Sequence, residues 1–203
     1  GCINIGDLYI IDVSDKTNPI VIGTHQTPSA FTHNAWISDD GKYVFTTDEK
    51  SDAYIAAYDI TNISNIQEID RIQSNPESNS IPHNTHVDGN FLVTSWYRDG
   101  TIIHDITNPN NLVQVAYYDS YNGSGDGFDG CWGTYPFLPS GNIISSDINS
   151  SNNGNGKLLI YQRNFSSACY LEGNITDAIT STSIIGATIK ILNTTIQNSS
   201  YSN

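Results

Sequence analysis

Leu8-Tyr9-Ile10-Ile11-Asp12-Val13-Ser14, Tyr54-Ile55-Ala56-Ala57-Tyr58-Asp59-Ile60-Thr61-Asn62 and Thr101-Ile102-Ile103-His104-Asp105-Ile106-Thr107-Asn108-Pro109 are three copies of one pattern, an apolar strand ending in Asp and then a turn. Their aspartates, Asp12, Asp59 and Asp105, stand 47 and then 46 positions apart. A fixed period of this length dictates architecture before any local element is assigned. A fourth copy opens at Leu158-Leu159-Ile160-Tyr161, delayed by a Gly/Asp-rich insertion.

Two further features keep the same step. A tight turn feeds a strand at Asp40-Gly41-Lys42-Tyr43, Asp88-Gly89-Asn90-Phe91 and Ser140-Gly141-Asn142-Ile143, where glycine supplies the positive φ of a two-residue hairpin. Ahead of each hairpin lies a His- or Trp-bearing segment: Thr32-His33-Asn34-Ala35-Trp36, Pro82-His83-Asn84-Thr85-His86 and Gly130-Cys131-Trp132-Gly133-Thr134-Tyr135. The last strand of a unit falls at Ile20 to Gly23, Gln67 to Ile72 or Val113 to Tyr118. Four short strands in about 45–50 residues make one propeller blade. The expected fold is therefore all-β, a partial β-propeller of about three four-stranded blades over residues 1–163. Rings close with roughly four to eight blades, so the chain is expected to be a piece of a longer protein. No helix is required, and Ile63 to Ile72 comes nearest to a helical stripe.

Composition narrows the function classes. Eight basic against 21 acidic residues leave a formal charge of −13, which repels polyphosphates and excludes nucleic acid as an expected partner. Only 14% of residues are charged while Asn, Ser, Thr, Gly and Tyr abound, the profile of a secreted β-protein. No apolar run approaches the roughly 18 residues of a membrane span. Gly1-Cys2-Ile3-Asn4 has no initiator Met and no signal region, so the natural N-terminus is expected upstream. Cys2, Cys131 and Cys169 are too few and scattered for a disulfide framework or CxxC metal site, and their redox state stays open.

The repeated segments resemble the LVIVD-repeat proteins, the choice-of-anchor B family, through Leu8-Tyr9-Ile10-Ile11-Asp12, Thr32-His33-Asn34-Ala35-Trp36 and Gly127-Phe128-Asp129-Gly130-Cys131-Trp132-Gly133-Thr134-Tyr135. That resemblance implies a bacterial extracellular or cell-surface propeller, joined to varied anchoring modules and with no established enzymatic activity. After Tyr161 the pattern changes. Cys169 to Asp177 and Ile185 to Ile191 resemble the opening strands of a carboxypeptidase-regulatory-like β-sandwich, so residues 164–203 are expected to be an incomplete sandwich module. Its tail, Asn193 to Asn203, is expected to be disordered.

Chemistry concentrates in the His/Trp segments. His33, Asn34, His83, Asn84, His86, Asp129 and Trp132 are the candidate ligand-binding residues, because equivalent positions of successive blades meet around one channel. The three imidazoles of His33, His83 and His86 are candidate ligands for Zn²⁺ or another transition metal. His83 and His86 are three apart, so only a bend or bulge between them aims both at one ion. His-Asn pairs equally serve to hydrogen-bond blade ends, and that plain role is preferred. Asn122 to Asp129 offers oxygens at alternate positions as a Ca²⁺ loop does, but Gly133 stands where an EF-hand needs Glu. An inter-blade loop is the simpler reading. Asp12, Asp59 and Asp105 recur once per blade and are assigned to turn capping. Trp36, Trp96, Tyr97, Trp132 and Tyr135 suit either a ligand-binding rim or the core. No nucleophile elbow, P-loop or Rossmann fingerprint occurs. The leading expectation is thus a non-enzymatic secreted or cell-surface module for binding or adhesion, tethered by its C-terminal sandwich or anchor, with an extracellular protein or glycan as ligand. The alternative is a metal-dependent hydrolase using the His cluster at the channel.

Overall fold

The computed structural model describes residues 6–148, 155–171, 173–190 and 199–201. Cys2, Glu172, Ile191 and tail residues 193–198 and 202–203, all of which figure in the expectations above, lie outside the described residues. The chain forms two compact units, which meet in sequence at Ala168 and Cys169.

The first unit is all-β. Strands β1 (Asp7–Asp12) and β2 (Ile20–Gln26) form a two-stranded sheet. β3 (Thr32–Ile37), β4 (Tyr43–Asp48), β5 (Ile55–Asp59) and β6 (Gln67–Ile72) form a four-stranded antiparallel meander. The order repeats in β7 (Pro82–Asp88), β8 (Phe91–Trp96), β9 (Gly100–Asp105) and β10 (Val113–Tyr118). β11 (Gly130–Tyr135), β12 (Ile143–Ile148) and β13 (Lys157–Tyr161) form a three-stranded sheet. These sheets are arranged as a partial β-propeller, with β3, β7 and β11 as the first strands of successive blades.

Local chemistry explains the punctuation. Asp12 accepts from the Ser14 amide at 2.8 Å, Asp59 from the Thr61 amide at 2.8 Å and Asp105 from the Thr107 amide at 2.7 Å. Each carboxylate closes the turn that follows its strand. Those hydrogen bonds hold the acids of Asp12 and Asp59 below the ordinary carboxylate range. Gly41 takes φ +72° with open space around it, so the turn conformation alone demands glycine there. In the segment from Ile63 to Ile72 a single 3-10 turn, Ile63–Asn65, is capped by Asn62 and gives way to β6.

β4, β5, β8 and β9 carry the core because the two four-stranded sheets are packed against neighbouring sheets on both faces, whereas Ile20 and Val21 of β2 and Leu158 and Ile160 of β13 stay exposed. Phe45, Ile55 and Ala57 of one blade pack with Val87, Leu92, Trp96 and Ile102 of the next. Each large side chain buried this way contributes about 1.5–3 kcal/mol of transfer free energy. Trp96, a candidate for an exposed rim, is only 1% exposed and belongs to this core.

One irregularity recurs in the first strands. The register with the second strand slips between Thr32 and Asn34 in β3, between Pro82 and Thr85 in β7, and between Cys131 and Gly133 in β11. His33, His83 with Asn84, and Trp132 therefore sit at β-bulges, which turn a side chain out of the pleat.

In the second unit, Thr176 and Ser183 form an isolated bridge, and the Asp177 carboxylate accepts from the Ile179 and Thr180 amides at 2.9 and 2.7 Å. β14 (Thr188–Lys190) pairs antiparallel with β15 (Ser199–Tyr201). Within the Ser/Asn-rich tail, Ser199–Tyr201 is thus a strand, because an edge strand satisfies its backbone groups whatever the polarity of its side chains.

Candidate active site

The bulges of β3 and β7 bring two imidazoles together. The rings of His33 and His83 stack with centroids 4.4 Å apart and planes 27° from parallel. Between them reaches Glu49, the residue after β4: its Oε2 lies 3.1 Å from His33 Nδ1 and its Oε1 3.6 Å from His83 Nε2. The three ligand atoms lie within 4.8 Å of one another. Glu49 Oε1 also accepts from the Tyr97 hydroxyl at 2.8 Å.

His83 is the most constrained member. Its side chain is 4% exposed, against 25% for His33 and 14% for Glu49. Its Nδ1 contacts the backbone carbonyl of Trp132, and the hydroxyl of Thr47 donates to its own carbonyl. A carbonyl only accepts, so the neutral ring carries its proton on Nδ1 and turns the Nε2 lone pair toward Glu49. Burial pushes the His83 pKa below the ordinary imidazole value, outweighing the opposing pull of the Trp132 carbonyl and Glu49. Burial thus favours the neutral ring over the charged one.

These donors fit a transition ion. Two imidazole nitrogens and one carboxylate make the three-ligand set of catalytic zinc sites, which leave a fourth position open. Tetrahedral bonds near 2.05 Å put ligand atoms about 3.3 Å apart, and the 3.1 Å between His33 Nδ1 and Glu49 Oε2 is close to that value. Imidazole ligands suit Zn²⁺ far better than Ca²⁺, which prefers six to eight oxygens.

The other candidates have different places. His86, three residues along β7, packs tilted against Trp36 at 4.7 Å and meets Phe137 edge-on at 5.9 Å, away from the three converging ligands. Even with a bulge between them, His83 and His86 do not share an ion site, because aromatic packing claims the second ring. Asn34 Oδ1 accepts from the Thr85 amide at 3.0 Å and ties β3 to β7. The Asn84 amide donates to Ser95 Oγ at 3.1 Å. Trp132, 49% exposed, lays its ring 5.4 Å from His83. Asp129 pairs with Arg98 at 3.2 Å, and Arg98 also donates to the Ser124 carbonyl at 3.0 Å. The loop from Asn122 to Asp129 is therefore gathered on a guanidinium, a cationic neighbour unfavourable to Ca²⁺. Phe128 places its edge 5.2 Å from the Tyr97 ring.

Glu49 escapes motif reading because it lies in no His/Trp segment, and Tyr97 shows there only as an aromatic of rim or core. Their signal is positional: each falls eight residues after its turn glycine, Gly41 or Gly89. Glu49 and Tyr97 also donate their amides to equivalent carbonyls, of Phe31 at 3.1 Å and Ile81 at 3.0 Å.

No family model and no curated protein matches the chain. Solved structures do. A protein from Lactobacillus plantarum aligns with TM-score 0.61 at 16% identity over 81% of this chain and 48% of its own. A protein assigned as a 6-phosphogluconolactonase from Bacteroides fragilis aligns with TM-score 0.55 at 17% identity over 71% and 45%. The periplasmic gluconolactonase of Pseudomonas aeruginosa gives 0.50 at 14% over 84% and 53%. The fold is that of a β-propeller. The chain spans about half the length of these proteins.

Three expectations are corrected by these findings. The LVIVD-repeat resemblance is not upheld, since no family model matches and the similar structures are lactonase-type propellers. An apolar strand ending in Asp and a Gly-led hairpin are what any four-stranded blade needs, so the motif marks blades rather than a family. The carboxypeptidase-regulatory-like resemblance fails with it, because a short Thr-Asp strand and a Gly-Ala start are too generic to identify a sandwich. The non-enzymatic adhesion module gives way as well, since propellers named as lactonases are among those the chain resembles. Among the described residues, no helix is long and apolar enough to cross a membrane.

Proposed function

We propose that this chain carries the reaction centre of a propeller hydrolase, with His33, Glu49 and His83 holding a zinc-class ion at the inner edge of two adjacent blades. The observation that carries the reading is the convergence of two imidazoles and one carboxylate within 4.8 Å at neighbouring β-bulges. Lactonase names among similar propellers favour a cyclic ester or ester as substrate. An ion of this class polarises a carbonyl and lowers the pKa of water. The chain's own residues do the rest. His83 presents a neutral Nε2, held by the Trp132 carbonyl. Tyr97 fixes the Glu49 carboxylate. The half-exposed Trp132 ring offers an apolar wall beside the centre. An extracellular or periplasmic location accords with the composition and with the periplasmic relative in fold.

The test is metal analysis of the full-length protein together with a gluconolactone hydrolysis assay. About one zinc per chain is expected, with both zinc and turnover lost in Glu49→Gln and His83→Ala and kept in His86→Ala. A protein that takes up no transition metal, and whose variants lose only stability, refutes the reading.

A further inference from the structure

We propose that Tyr97 is the positioning residue of this centre, holding Glu49 so that one carboxylate oxygen is reserved for the ion; the inference rests on the zinc-class reading above. Tyr97 and Glu49 occupy the same position in successive blades, each anchored by its amide to the carbonyl at the start of the first strand. The repeat thus sets a phenol opposite a carboxylate across the blade boundary. Tyr97 is only 3% exposed, its ring flanked by His83 at 5.1 Å and by the edge of Phe128 at 5.2 Å. So constrained, its hydroxyl delivers a 2.8 Å hydrogen bond to Oε1.

The two carboxylate oxygens consequently differ. Oε1 is engaged by the phenol, while Oε2 faces His33 Nδ1 at 3.1 Å and, among the described residues, accepts from no hydroxyl. A donor on one oxygen disfavours chelation by both, which preserves the open position a substrate needs. A rigid phenol also spares the ion the entropy of ordering a free carboxylate. Nothing in this role requires Tyr97 to touch substrate.

The experiment measures zinc affinity by chelator competition, and the visible spectrum of the cobalt-substituted form, in the full-length protein and in Tyr97→Phe. Loss of one outer hydrogen bond to a ligand is expected to weaken zinc binding roughly 10–100-fold. The cobalt bands are expected to shift as the freed carboxylate changes its mode of ligation, a signature that a merely structural tyrosine does not produce. Unchanged affinity and spectrum in Tyr97→Phe overturn the role of Tyr97 while leaving the centre standing. Absence of metal binding in the unmodified protein removes the centre and this role together. If Tyr97→Phe does not fold, Phe128→Ala decides on the same measurements: the half-exposed buttress is removed and the phenol kept, so weakened binding supports the role and unchanged binding overturns it.

Discussion

β3 and β7 bring His33 and His83 to the slipped point of the ladder, whereas β11 brings Trp132 to the corresponding slip. The backbone device is common to all three strands, and the chemistry is not. β3 and β7 contribute side-chain nitrogens to the centre; β11 contributes a carbonyl that orients His83 and an indole beside it. A bulge supplies an aimed position, and the residue type decides whether that position ligates, orients or walls. The same contrast separates neighbouring positions: Cys131, just before Trp132, is fully buried and surrounded by Thr101 and Ser145.

The largest effect is expected at the start of β11. Gly130 has φ +94°, and a Cβ there would overlap the Tyr97 carbonyl. Gly130→Ala is expected to cost about 3 kcal/mol or more in urea unfolding, from backbone strain plus collision. Gly41→Ala meets no neighbour and is expected to cost only about 1–2 kcal/mol. Equal costs would mean that the contact between Gly130 and the Tyr97 carbonyl does not matter.

Buried histidine outside the centre gives the next effect. His104 is fully buried on β9, neither ring nitrogen has a hydrogen-bond partner among the described residues, and burial drives its pKa down to about 3. An unfolded histidine titrates near 6.5, so between about 6.5 and 3 the unfolded state binds the extra proton. Stability contributed by this neutral group is present above that window and is lost as the pH falls, by up to about 1.4 kcal/mol per pH unit. His104→Phe is expected to flatten the acid limb of the stability–pH curve measured by denaturant midpoints. An unaltered limb would show that His104 is not what titrates.

Asn34→Ala sharpens the contrast between holding and ligating. It leaves the Thr85 amide without its partner, at a cost of about 1–3 kcal/mol. Zinc affinity is expected to change far less than in Glu49→Gln; an equal loss would make Asn34 part of the centre. The smallest expected effect is on reactivity. Burial pushes the Cys131 thiol up to about 11, whereas Cys169 is exposed. Alkylation of the folded protein at pH 8, followed by mass spectrometry, is expected to modify Cys169 and spare Cys131. Rapid labelling of Cys131 would contradict its burial.

The fold was legible because a blade writes itself locally. Asp59, Gly41 and the apolar run between Tyr54 and Tyr58 carry their instructions within a few residues: a capped turn, a positive φ and a strand buried on both faces. The centre was half legible. His33 and His83 are distinctive as residue types at equivalent positions of a repeat, but His86 shares their chemistry, while Glu49 lies outside the His/Trp segments. Separating them requires knowing where the ladder slips. Trp36 and Phe137 claim His86, and the bulge at Pro82–Thr85 turns His83 the other way, toward a carboxylate from the preceding blade.

By itself the sequence determined the all-β repeat, the turn-capping role of Asp12, Asp59 and Asp105, and a candidate set of three histidines, His33, His83 and His86. Those features depend on backbone conformation and polarity, which act over neighbouring residues. Only the tertiary structure decided that Glu49 joins His33 and His83, that Tyr97 holds one of its oxygens and that Arg98 takes Asp129. Each of these contacts crosses between blades or loops, where distance along the chain carries no information about distance in space.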